Sequence, residues 1–195
     1  MDGSWGRGLA ARTTRQRFED IALPHLNAAY NLARWLTRND SDAADVVQEA
    51  MLRALTYFDS YRGENAKAWL LSIVRNTCFR WLERNRPAAV LALSDEIEAE
   101  IDTALARPGS EPPPDPETLL TRQRDAALLN DLIAELPPLF REILVLREME
   151  ELSYRDIGDV LGVPMGTVMS RLARARGLLK EAWHRRSGQG TTHGA

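Results

Sequence analysis

The sequence predicts an all-α protein: two small helical domains joined by a flexible, acidic, proline-rich linker, with a helix-turn-helix in the second. Three observations carry that prediction. Apolar residues recur at three- and four-residue spacing on both sides of a central segment. Alternation of period two persists nowhere, so no strand is expected. Residues 87–118 break the helical pattern with Pro108, Pro112, Pro113, Pro114 and Pro116 and with a run of acids.

Residues 1–16 hold Gly3, Gly6 and Gly8 and show no periodicity, which predicts a mobile tail. The first domain then spans 17–86. Leu26, Ala29, Ala33 and Leu36 mark the apolar face of one helix, with Pro24 near its first turn. Asp40 or Ser41 is expected to cap the next helix, where Asp42 and Asp45 favour the positive end of the dipole. Its buried stripe reads Val47, Ala50, Met51, Ala54 and Phe58, and its opposite face reads Asp45, Gln48, Glu49 and Arg53. The turn formers Asp59, Ser60, Gly63 and Asn65 predict a loop. A long helix follows. Ala66, Leu70, Ile73 and Thr77 line one side of it and Asn76, Arg80 and Arg84 another, until Pro87 stops it.

The linker, 87–118, has room for a short helix within 94–105. The second domain spans 119–186. Leu128, Leu132 and Leu136 mark a helix that Pro137 and Pro138 interrupt, and Phe140, Ile143 and Leu144 mark another. Ser153 then caps a short helix, with Asp156 as capping-box partner, Leu152 as staple, and Ile157 and Leu161 in the core. Gly162 is expected to end it in the left-handed conformation. Pro164 or Gly166 opens the next helix, whose buried face is Val168, Leu172, Ala175 and Leu179. Residues 187–195 predict a second mobile tail.

Two short helices across a tight glycine turn, the second one basic, form a helix-turn-helix pattern. Thr167, Ser170, Arg171 and Arg174 are expected to face outward. An arginine can bridge guanine O6 and N7 or grip a phosphate, and a hydroxyl can bond either. Arg176 follows on the same helix. Taken alone, a basic helix is as readily a solvated surface; the cap and the glycine turn favour the DNA reading.

The net charge of −3 over 195 residues conceals a segregation. Residues 62–86 carry Arg62, Lys67, Arg75, Arg80, Arg84 and Arg86 against Glu64 and Glu83, a net of +4. Residues 87–120 come to −7 and residues 153–186 to +4. Two basic segments flank an acidic one.

Other function classes find little support. His25, His184 and His193 are dispersed, and no acid, base, nucleophile or metal constellation assembles, so neither an enzyme nor a cofactor or metal site is expected. Cys78, the only cysteine, lies four residues from Val74 and Leu82 and reads as a buried, inert thiol. Trp69 and Trp81 read as core residues. No apolar run reaches membrane-spanning length and no signal peptide is visible, so a cytoplasmic protein without membrane insertion is expected.

Three stretches, DAADVVQEAMLRAL, YRGENAKAWLLSIVRNTCFRWL and LSYRDIGDVLGVPMGTVMSRLARARGLL, in this order with an acidic linker before the third, resemble bacterial RNA polymerase sigma factors of the extracytoplasmic-function group, a branch (group IV) of the sigma-70 family. The resemblance covers roughly residues 17–183. It implies a transcription initiation factor. The helix with Asp45, Gln48, Glu49 and Arg53 would grip core RNA polymerase. Tyr61, Arg62, Asn65 and Lys67, with Arg75, Asn76 and Arg80 on the following helix, would open the promoter's minus-ten element, and Thr167, Ser170, Arg171 and Arg174 would read its minus-thirty-five element. It also implies an anti-sigma factor as partner and a chain that is monomeric when free. Met169 stands where many relatives carry arginine, so a contact there is either lost or replaced by an apolar one. The alternative is a stand-alone helix-turn-helix regulator, in which the first domain senses or dimerises.

Overall fold

The computed structural model describes residues 13–63, 65–86 and 116–189, and among these every regular element is helical. In order they are α1 (Thr14–Ala22), a 3₁₀ turn (Leu23–His25), α2 (Leu26–Thr37), α3 (Asp40–Thr56), a second 3₁₀ turn (Phe58–Ser60), α4 (Ala66–Asn85), α5 (Pro116–Glu135), α6 (Pro138–Leu144), a π turn (Val145–Met149), α7 (Tyr154–Leu161) and α8 (Met165–Gln189). The expected short helix within 94–105 lies outside the described residues.

The ends differ from expectation. Helix α1 begins inside the segment read as a tail, because Thr13 and Gln16 form a reciprocal capping box. The Thr13 hydroxyl accepts from the Gln16 amide at 3.2 Å, and the Gln16 side chain accepts from the Thr13 amide at 3.0 Å. Helix α8 likewise runs through 187–189. At α3 the cap is Asn39, neither Asp40 nor Ser41: its side chain accepts from the Asp42 amide at 3.0 Å. Arg38 just before it is left-handed, with φ 59°, and ends α2 as a glycine usually would.

Helices α2, α3 and α4 pack pairwise around Ala29, Leu32, Ala33, Leu36, Val46, Ala50, Leu70, Leu71 and Val74, all fully or almost fully buried. Alanines on α2 and α3 let the axes approach closely. Leu26, expected on the apolar face of α2, is instead exposed: it is the first residue of α2, directly after the 3₁₀ turn at Pro24, and it lines an open groove with Leu23 and Tyr30. Cys78 is buried, as expected, and burial pushes its thiol well above the usual range. We predict that Cys78 does not react with iodoacetamide in native buffer at neutral pH and reacts fully in guanidinium. Labelling of the native chain would place the sulfur at the surface.

The second half packs α6 and α8 together with α7 across the turn at Gly162, whose φ of 68° is the expected left-handed ending. Gly158 is needed for a different reason. A Cβ there would sit 3.0 Å from the Val163 carbonyl oxygen, so the closeness of helix and turn depends on its missing side chain.

The two halves do not stand apart. Buried residues of both form one contiguous cluster, with α2 against α6 and α4 against α7. Two helical units were legible in the sequence; their shared interface was not.

Candidate nucleic-acid and polymerase interfaces

On α3, Asp45 and Gln48 are exposed and Glu49 and Arg53 half-buried. Arg53 donates to Glu49 at 2.7 Å, and Arg84 of α4 approaches the same carboxylate at 3.8 Å. Beside this polar rim lies an open apolar groove of about 1110 Å³ between α1, α2 and α3, edged by Gln48. Leu23, Leu26, Tyr30, Leu52 and Leu55 line it and remain exposed, Leu52 at 63%. Sequence periodicity gave no warning, since Leu52 and Leu55 lie off the buried stripe of α3.

The loop before α4 is built on aromatic packing. Phe58 is buried and stacks with Tyr61 at 6.1 Å between centroids, and Tyr61 meets Trp69 at 5.1 Å. Tyr61 is therefore half-buried, while Arg62 is exposed. Asn65 caps α4, its side-chain oxygen accepting from the Ala68 amide at 3.0 Å. Asn76 and Arg80 face solvent on α4.

Three other expected DNA contacts are engaged by the second half. Asn65 donates its side-chain amide to Asp156 at 2.8 Å. Lys67 pairs with the Glu150 carboxylate at 2.8 Å and donates to the Glu150 carbonyl at 2.8 Å. Arg75 forks onto Glu142 at 2.8 and 3.1 Å and lies over the Phe79 ring at 4.5 Å. Glu142 has no exposed surface; burial pushes its carboxyl up, while Arg75 and, more distantly, Arg171 pull it down. Asn31 completes the Glu150 site, donating at 2.7 Å. Arg141, also buried, donates to the carbonyls of Trp35 and Leu36 at the end of α2 and to that of Leu136. Its charge suits the negative end of the α2 dipole. Burial lowers its pKa to about 10, which leaves it cationic at neutral pH.

Sequence reading missed Asn31, Arg141, Glu142 and Glu150. One signal was available: Glu142 shares helical spacing with Pro138, Val145 and Leu146, all buried, so a charge sits on an apolar stripe.

In the helix-turn-helix, Ser153 caps α7, accepting from the Asp156 amide at 3.1 Å and donating to its carboxylate at 2.6 Å. That bond, before any other, holds the Asp156 carboxyl below its usual range. Val168, Leu172 and Ala175 bury one face of α8. Of the expected base readers, Arg174 is exposed; Thr167, Ser170 and Arg171 are half-buried, and the Ser170 hydroxyl donates to the Thr167 carbonyl at 3.1 Å. Met165 and Met169 are exposed on the same helix, at 56% and 48%. Arg176 pairs with Glu148 at 2.6 Å. Among the described residues no cluster of potential ligands could hold a metal ion, and no helix is long and apolar enough to cross a membrane.

Comparison with known proteins bears on this arrangement. Residues 21–87 match the family described as Sigma-70 region 2, and residues 126–179 match Sigma-70, region 4. The chain is 33% identical to an ECF RNA polymerase sigma-E factor of Haemophilus influenzae over 76% of its own length and 77% of that protein. The chain belongs to the extracytoplasmic-function sigma factors. It is also 31% identical to the ECF RNA polymerase sigma factor SigE of Mycolicibacterium smegmatis, spanning 60% of that protein's length. The sigma factor RpoE of Bartonella quintana, solved in complex with the anti-sigma factor NepR, superposes with a TM-score of 0.61 at 26% identity, over 86% of this chain and 96% of that one. For this sigma factor, the region 2 match covers α2, α3 and α4, and the region 4 match covers the helix-turn-helix.

Proposed function

We propose that this sigma factor binds core RNA polymerase through 17–86, uses the same unit on the minus-ten element, and reads the minus-thirty-five element through 119–186. The observation that carries the reading is the occurrence of region 2 and region 4 in that order on one chain, each with its basic helix. In this reading Asp45, Gln48, Glu49 and Arg53 form the polar rim of the polymerase contact and the apolar groove beside them its centre. Adjoining exposed apolar side chains rimmed by polar residues, as in this groove, support a docking surface. Tyr61, Arg62, Asn65, Lys67, Arg75, Asn76 and Arg80 serve the opened minus-ten strand, where cations bind phosphates and aromatic rings support unstacked bases. Thr167, Ser170, Arg171 and Arg174 serve the minus-thirty-five groove. The chain carries no chemistry of its own, acts in the cytoplasm and is held inactive by an anti-sigma factor.

The deciding experiment is transcription by purified core polymerase on a pool of genomic fragments. Addition of this chain yields transcripts with discrete start sites; their absence overturns the reading. A stand-alone regulator would need neither the groove nor the region 2 match. We further expect Arg174→Ala to weaken binding to the identified minus-thirty-five duplex by about 1–3 kcal/mol, measured by anisotropy. An unchanged affinity would return Arg174 to the solvated surface.

A further inference from the structure

The outward side of α8 is bare where a solvated helix would carry long polar side chains. Opposite Val168, Leu172 and Ala175, helical spacing places Gly166, Ser170, Ala173 and Gly177. Nothing within the chain calls for these glycines: a Cβ at Gly166 or Gly177 would meet no atom within 4 Å. Glycine is a poor helix former beside alanine. What it offers instead is a close approach of the helix backbone to a partner.

Met165 and Met169 run along one edge of this bare side, one turn apart and 56% and 48% exposed. Thr167 and Arg174 run along the other edge. Met165 is the first residue of α8, and the N-terminal residues of the second helix are those that meet base edges in a helix-turn-helix. The hydrogen-bonding groups beside the methionines are engaged within the chain. The Ser170 hydroxyl donates to the Thr167 carbonyl at 3.1 Å, and Arg176, further along the methionine edge, pairs with Glu148 at 2.6 Å. This edge therefore presents apolar surface to DNA. In the major groove the base that offers an apolar group is thymine, through its C5-methyl. The methionines stand about 6 Å apart along the helix axis, close to two base-pair steps of about 3.4 Å each. The unbranched thioether side chain adapts to such a contact without a fixed rotamer.

We propose that Met165 and Met169 are specificity-determining residues that read thymine C5-methyl groups in the minus-thirty-five element, with Gly166 and Ala173 letting α8 seat close to the base edges. The proposal deepens the assignment of 119–186 to that element and rests on it. Arg174, on the opposite edge, supplies charge and sets affinity. The methionines set the choice of base, because their contact is lost when the methyl is lost.

The test uses the minus-thirty-five duplex of a promoter identified in the transcription assay, read by fluorescence anisotropy with the full-length chain. Each thymine of the element is replaced in turn by uracil, which removes the methyl and keeps every hydrogen-bonding group. The native chain is expected to bind about 4-fold more weakly at one or two of these positions, the effect of one methyl-sized apolar contact. Met165→Ala and Met169→Ala should each bind the thymine duplex more weakly and lose the thymine-to-uracil ratio at one position. Arg174→Ala should weaken both duplexes and keep the ratio. Uracil outside the element should change nothing, and thermal melts of the variants report that they are folded. Equal binding of thymine and uracil duplexes by the native chain overturns the proposal. So does a ratio that survives both methionine substitutions, or an element that contains no thymine. A chain that yields no transcripts removes the functional reading and the proposal with it, whereas transcripts with methyl-blind binding remove the proposal alone.

Discussion

Leu172→Ala is expected to unfold the second half at markedly lower temperature. Leu172 is 1% exposed and lies on the face of α8 that Val168 and Ala175 also bury. Deleting its branched side chain loses the transfer free energy of the removed atoms and leaves a cavity, together about 2–5 kcal/mol. In a domain of this size that lowers the melting temperature by roughly 10 °C or more. Circular dichroism melting is the measurement. Met169, three residues earlier and 48% exposed, is the comparison: Met169→Ala should leave the melt almost unchanged. A shift below ~2 °C for Leu172→Ala would mean that α8 is not held by this stripe, and the outward placement of Arg174 would lose its support.

Leu52→Asp is expected to do the opposite: leave the fold intact and remove polymerase binding. Leu52 is already 63% exposed at the groove, so a carboxylate there costs little in the free chain. In the complex it would have to enter an apolar contact, losing the burial of a leucine and desolvating a charge. The affinity for core polymerase should fall at least about 10- to 100-fold, equivalent to about 1.4–2.8 kcal/mol. Gln48→Ala with Glu49→Ala should weaken the same complex from its rim. Native-like affinity of Leu52→Asp in a polymerase pull-down would move the interface off the groove.

The two predictions differ in how far the sequence foresaw them. Leu172 was placed by spacing alone, because a helix lying on a domain needs a continuous stripe and Val168, Leu172, Ala175 and Leu179 supply one. Leu52 was not placed. It lies off the buried stripe of α3, and local periodicity carries no information about which other elements flank that side of the helix and make a groove with it. The same division runs through the caps. Ser153 and Asn65 were legible as a cap and a turn former, whereas the cap of α3 was expected at Asp40 or Ser41 and falls on Asn39, directly after left-handed Arg38. Arg75, Lys67 and Asn65 were legible as basic or polar positions near a loop, while their partners, 67 to 91 residues away in sequence, were not.

The sequence by itself determined the helical class, the two units, the helix-turn-helix with its Gly162 ending, the buried thiol and the charge segregation. Each follows from local spacing, local turn chemistry or a sum over charges. The tertiary structure alone decided that the two units share one core, that an apolar groove lies beside the α3 polar face, and that acids of the second unit occupy the basic face of the first. Those are relations between residues far apart along the chain. They depend on how whole helices cross, and burial of Glu142 against Arg75 becomes favourable only after both helices are in place.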